Sequence, residues 1–138
     1  MSKLSIELIF SLLFFSQAFS QESFTITVEV EDIESNKGKM YFALFDNEPD
    51  FLDKRYKSAI EVISLNKSIT IFKNIPSGTY AVSVFHDKNN NGKLDTNFVG
   101  VPKEDYGCSN NAKGFMGSPK WKNAKFTLNQ DIKFSIKL

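Results

Sequence analysis

Cysteine is nearly absent from this chain: Cys108 is the only one. No intrachain disulfide can form, so in an oxidising compartment the fold must rely on its core or on another staple. Histidine is as scarce. His86 stands alone, and one His with one Cys cannot close a tetrahedral zinc shell. An excess of one charge is missing too. The 17 Lys and Arg residues face 16 Asp and Glu, a formal net charge of +1. No basic stripe and no acidic block stands out, which argues against a nucleic-acid partner and against a disordered acidic tail. Internal repeats and low-complexity linkers are lacking as well.

One apolar run exists, LIFSLLFF, and it is too short to span a bilayer comfortably. It follows the basic start Met1-Ser2-Lys3 and precedes Ala18-Phe19-Ser20, a small-x-small cleavage pattern. Residues 1–20 therefore read as a signal peptide, and residues 21–138 as the mature domain. No cysteine follows the run to carry a lipid. The expectation is an exported protein, periplasmic or extracellular, with no transmembrane segment after cleavage.

What the chain does have is phenylalanine, 14 residues of it, enough to fill a core. The mature part reads as strands. In SFTITVEV, Phe24, Ile26, Val28 and Val30 alternate with polar residues, the period of a half-buried strand. In GKMYFALFD both faces are apolar, which predicts a central strand. AIEVISL, KSITIFKNI and TYAVSVFHD follow, the last with Tyr80, Val82, Val84 and His86 on one face. NAKFTL and IKFSIKL suggest a final hairpin around Asn129-Gln130. No long helical period interrupts them. The fold class expected is all-β: a single antiparallel β-sandwich of about seven strands with one long ordered loop. That loop runs from Asp87 to Lys120, and its apolar residues, Phe98, Val99, Val101, Phe115 and Met116 among them, predict that it folds back and packs.

The loop opens with HDKNNNGKLD. Asp87, Asn89, Asn91, Gly92 and Asp95 match the first nine positions of a calcium loop. Alternate side chains would present oxygens to one point, the glycine would permit the bend, and the Lys93 carbonyl would turn inward. Leu94 would anchor the loop to the body. Phe98 stands where an EF-hand has its closing glutamate, and a strand stands where it has its entering helix. The expected site is thus a calcium loop on a sandwich, with metal ligands Asp87, Asn89, Asn91, Lys93 and Asp95, closed by Glu104, Asp105 or a backbone carbonyl. The competing expectation is a polar hairpin turned at Asn91-Gly92.

Three further constellations bear on function. Tyr106, Phe115 and Trp121 could form an aromatic platform for a glycan or an apolar ligand, or else the loop's own small core. His86 and Cys108 could pair as base and nucleophile. No oxyanion motif accompanies them, so His86 as a loop support and Cys108 as a buried filler are preferred, and no catalytic residue is assigned. Glu104 and Asp105 could act as a carboxylate pair on a glycoside, but neighbours in an extended chain point opposite ways.

Across nearly the whole mature chain the motifs combine into a pattern: Gly78-x-Tyr80, the HDxNxNGxLD run, G-x-P-x-E-x-Y-G from Gly100 to Gly107, and SNNAKGxxGxP from Ser109 to Pro119. This pattern resembles domain of unknown function family 2141 of bacteria. The resemblance implies export and a transthyretin-like or immunoglobulin-like sandwich. It implies no reaction. The function expected is a calcium-stabilised binding or structural module of the cell envelope, its partner an envelope protein or a glycan; the alternative is a binder of glycans or apolar ligands through the aromatic loop.

Overall fold

The computed structural model describes residues 21–138; the expected signal peptide lies outside the described residues. Alternation builds the first strand, β1 (Ser23–Val30), in which Ile26, Val28 and Val30 are fully buried. In β2 (Lys39–Phe45) Met40, Phe42 and Leu44 form the inner face, while Tyr41 and Ala43 are half-buried on the other. Two apolar faces suit a central strand, and β2 lies between β3 (Lys57–Glu61) and β5 (Gly78–Asp87), antiparallel to both. β4 (Ser68–Pro76) pairs antiparallel with β1.

Three short strands complete the sheets. β6 (Tyr106–Cys108) and β7 (Phe126–Leu128) each pair antiparallel with β5, and β8 (Ile132–Ile136) pairs with β1. The result is a three-stranded sheet, β4-β1-β8, packed on a five-stranded one, β3-β2-β5-β6 with β7 beside β5. The inner faces interdigitate through Ile26, Val28, Phe42, Leu44, Val82 and Ile136. Truncating a side chain such as Phe42 to Ala there would cost about 3–5 kcal/mol. The fold is the all-β sandwich that the alternation predicts. Among the described residues no helix is long and apolar enough to cross a membrane.

Three details differ from the sequence reading. The last two strands are not a hairpin: β7 joins β5 in one sheet, and β8 crosses to β1 in the other. Alternation identifies a strand but not its partner. The β1–β8 pair is parallel, in an otherwise antiparallel molecule. The long loop also packs less than its composition suggests. Phe98 is 100% exposed, Phe115 92% and Met116 93%, because the small residues of the loop, rather than its large ones, meet the sheet.

Those small residues form a second core on the outer face of the five-stranded sheet. Ala81 and Cys108 lie against Ala112 and Ala124, with Phe51 and Trp121 at the margin. Phe51 packs edge-on against Phe45 at 5.4 Å and against Trp121 at 5.7 Å. Ser109 fixes this layer. Its buried hydroxyl donates to the Ala124 carbonyl at 2.6 Å and accepts the Val82 N–H at 3.0 Å. Asn110 donates to the Asn123 and Lys125 carbonyls, and Asn111 accepts the Lys137 N–H at 2.9 Å. The SNN stretch is therefore a structural clasp joining β5, the short helix Trp121–Ala124 and the chain after β8.

Candidate functional site

The site begins where β5 leaves the sheet. His86 and Asp87 are both fully buried at the end of that strand. The Tyr80 hydroxyl, donating to the Pro76 carbonyl at 2.6 Å, pins the start of the same strand, in the manner of a tyrosine corner. At the far end the chain before β2 passes very close. A Cβ on Gly38 would sit 1.9 Å from the Asp87 carbonyl oxygen, and Gly38 has φ +72°. Only glycine meets both demands. His86 Nε2 donates to the Lys37 carbonyl at 2.6 Å, which ties that segment to β5. The other ring nitrogen, Nδ1, is buried without a hydrogen-bond partner.

Beyond Asp87 the loop curls on its own side chains. Asp87 accepts the Gly92 N–H through Oδ2 at 2.8 Å and the Asn91 N–H through Oδ1 at 3.2 Å. Asn89 Oδ1 accepts the Asn91 N–H at 3.3 Å, and Asn91 Oδ1 accepts the Lys93 N–H at 2.9 Å. Each Asx step rotates the chain further, and Asn90 and Gly92 take the left-handed φ values, 56° and 75°, that close the curl. The Asn89 and Asn91 amides then converge on Asp95, donating to its two oxygens at 2.6 Å and 2.5 Å. The Asn91 amide foremost, then that of Asn89, with the Lys103 charge contributing, holds the Asp95 carboxyl below the usual carboxylate range.

Glu104 closes the ring. Only 7% exposed, it accepts the Lys88 N–H at 2.7 Å with one oxygen and the Asp95 N–H at 2.9 Å with the other. It thus ties together both ends of the acidic loop. Asp105 points away, 3.8 Å from Lys88 Nζ, which also pairs with Glu34. Glu104 and Asp105 therefore engage different partners.

The loop is not a hairpin turned at Asn91-Gly92. The chain after Asp95 does not return along β5; it makes its own small ladder between Thr96 and Pro102, with the Lys103 N–H on the Asp95 carbonyl at 2.7 Å. The place beside β5 goes to β6, three residues whose central glycine hides them from any alternation test. Gly107 is required there, because a Cβ would meet the Lys137 carbonyl oxygen at 2.5 Å.

As to ions, among the described residues no group of three or more His, Cys, Asp or Glu side chains is set to hold a metal. The donor chemistry nonetheless fits a hard cation, since Asp87, Asn89, Asn91, Asp95 and Glu104 can offer only oxygen toward one. Holding an ion between Asn89, Asn91 and Asp95 requires the two amides to turn their oxygens, in place of their nitrogens, toward Asp95.

The other sequence candidates separate. Cys108 faces Ser83 across the β5–β6 ladder, while His86 faces Met40 across the β2–β5 ladder. Ser83 and His86 are an odd number apart, so their side chains lie on opposite faces of the sheet. The Cys108 thiol is buried and its pKa pushed up to about 11 by desolvation. Tyr106 lines a cleft on the outer face, Phe115 projects outward, and Trp121 packs on Phe51. These three aromatics do not form one platform.

The sequence matches a bacterial family described as "Uncharacterized protein conserved in bacteria (DUF2141)" over residues 28–135. That span includes all eight strands in whole or in part, and the chain belongs to this family. No curated protein and no solved structure matches the chain.

Proposed function

We propose that this member of the family is an exported binding or structural module whose 87–95 loop takes up calcium. The observation that carries the reading is Glu104, a nearly buried carboxylate joined to both ends of a loop that already holds Asp87 and Asp95. Asp87 and Asp95 on the loop and Glu104 across from it carry like charge, and a divalent cation among them would offset it. Backbone N–H groups now serve part of that purpose. Two of the three acidic side chains are withdrawn from water, where a charge is costly unless it is compensated. The amides of Asn89 and Asn91 add neutral oxygens without adding repulsion, which suits the modest affinity of extracellular calcium modules, Kd about 10⁻⁴ to 10⁻³ M.

The role of the ion would be mechanical. Binding would lock Lys88, Asp95 and Glu104 together and so fix the start of the long segment on the sandwich, presenting it to an envelope protein or a glycan. At calcium about ten times Kd the gain is roughly 1.4 kcal/mol, a useful fraction of a small domain's stability. Export rests on the signal-peptide pattern of residues 1–20.

Calorimetric titration of calcium into chelator-treated protein, with parallel thermal melts, tests the reading. Saturable heat and a raised Tm are expected, with magnesium much weaker because its small octahedral shell fits this irregular donor set poorly. No heat and no shift at millimolar calcium would remove the ion from the account.

A further inference from the structure

The outer face of the five-stranded sheet is apolar, and the chain covers it unevenly. Ala81 and Cys108 lie under the second core. Elsewhere on that face Tyr41 and Phe85 stack with ring centroids 4.8 Å apart and stay half-buried. Three segments wall the space above them: Leu52 to Arg55, Leu94 to Pro102, and Met116 to Pro119. Between them lies a cleft of about 750 Å³. That is the size of a small-molecule site, within the usual range of about 300–1,000 Å³.

The lining has the composition of such a site. It is mostly aromatic and aliphatic, with Asp53, Arg55, Ser83, Thr96 and Ser118 as its polar members. Arg55 is exposed and, among the described residues, enters no ion pair, not even with Asp53 in the same wall. A guanidinium keeps its charge at any relevant pH, and its forked donors match an acid group. The stacked rings add aromatic surface to the same cleft.

We infer that this cleft binds a small aromatic anion, its ring against Tyr41 and Phe85 and its acid group on Arg55. Leu94 of the 87–95 loop lines the cleft, but none of the side chains that would hold calcium does, so the inference does not rest on the ion reading. It also differs from a platform of Tyr106, Phe115 and Trp121, of which only Tyr106 lines it.

Two fluorescent dyes test this in the full protein: anilinonaphthalene sulfonate and the uncharged phenylnaphthylamine, the same aromatic skeleton with and without an acid group. Both should bind saturably. Ala43→Phe fills the cleft from its floor and should weaken both by about tenfold or more. Thr96→Trp, in the loop wall, should do the same without touching the sheet, should Ala43→Phe lower the Tm. Arg55→Gln should weaken the sulfonate by about threefold, the scale of an exposed ion pair, and leave the amine unchanged. Phe115→Ser, outside the cleft, should change neither. Absence of saturable binding, or binding lost in Phe115→Ser but kept in the cleft-filling variants, would overturn the site. An equal effect of Arg55→Gln on both dyes would overturn its preference for an anion. Running each titration with calcium and with chelator separates this result from the ion's, since a protein indifferent to calcium can still bind the dyes.

Discussion

The Glu104 carboxylate accepts the Lys88 N–H at 2.7 Å across sixteen residues of chain. With its second oxygen on the Asp95 N–H, this side chain bonds to both flanks of the acidic loop. Glu104→Ala would leave two backbone donors without their acceptor in a largely buried place. The expected loss of stability is about 2–3 kcal/mol, read from urea unfolding. Glu104→Gln keeps one good acceptor and should recover part of that loss. A variant as stable as the parent would mean that the segment 96–105 closes by other contacts.

Asp87 separates the structural from the ion-binding role of the loop. Its oxygens hold the Asn91 and Gly92 N–H groups while the residue is fully buried. Asp87→Ala should destabilise by about 3 kcal/mol with or without calcium. Asp87→Asn keeps the size and one acceptor but removes the charge. It should lower Tm less, and the calcium-dependent rise in Tm should disappear in it. A rise that survives in Asp87→Asn would place the ion elsewhere.

Asp95 and Cys108 contribute to opposite limbs of the pH profile. The Asp95 carboxyl lies below its ordinary value chiefly because the Asn91 and Asn89 amides bond to its charged form. The folded protein thus binds a proton there less readily than the unfolded chain does. The stabilisation is present above the ordinary carboxylate value and is lost as pH falls through the lower folded one. Thermal melts across the acid range should show this limb flattened in Asp95→Asn. Cys108 acts at the other end. Burial raises its pKa to about 11, so the stabilisation is full below the ordinary thiol value and is lost as pH rises toward 11. Native Cys108 should also react slowly with iodoacetamide near neutral pH and at an ordinary rate once unfolded. Fast reaction of the native protein would contradict both its burial and its separation from His86.

How far the sequence foretold this arrangement depends on the kind of question. Strands declare themselves through alternation, so β1, β2 and β5 were legible with their inner faces, and the double apolar face of β2 even placed it centrally. Partners are another matter. NAKFTL and IKFSIKL have the alternation and turn residues of a hairpin, yet the chain between β7 and β8 crosses from one sheet to the other. Nothing in a period-two pattern records that. Tyr106–Cys108 is too short and too glycine-bound to register as a strand at all. The oxygen-rich loop was legible as a polar curl because Asp, Asn and Gly at this spacing readily bond their own backbone and take left-handed φ values. Glu104 was legible only as one of several possible closures, since its distance along the chain leaves its direction open. Tyr41, Phe85 and Arg55 carried no signal, because a cleft is a property of what fails to cover a surface.

Ser109 provides the sharpest test of the clasp that holds the second core. Its hydroxyl is 1% exposed and engages both Ala124 and Val82, while the neighbouring Asn110 engages the end of the same short helix. Ser109→Ala removes one buried donor and acceptor together and leaves two partners unmet. A loss of about 2 kcal/mol is expected. The loss should be uneven. Amide exchange should accelerate at Ala124 and Lys125, and Trp121 should become more accessible to a quencher, since Phe51, Trp121 and Ala124 share the layer that Ser109 ties down. The amides of β1 and β2, held by the inner core, should keep most of their protection. Uniform loss of protection through the whole molecule would instead show that the outer layer and the sandwich fold as one cooperative unit.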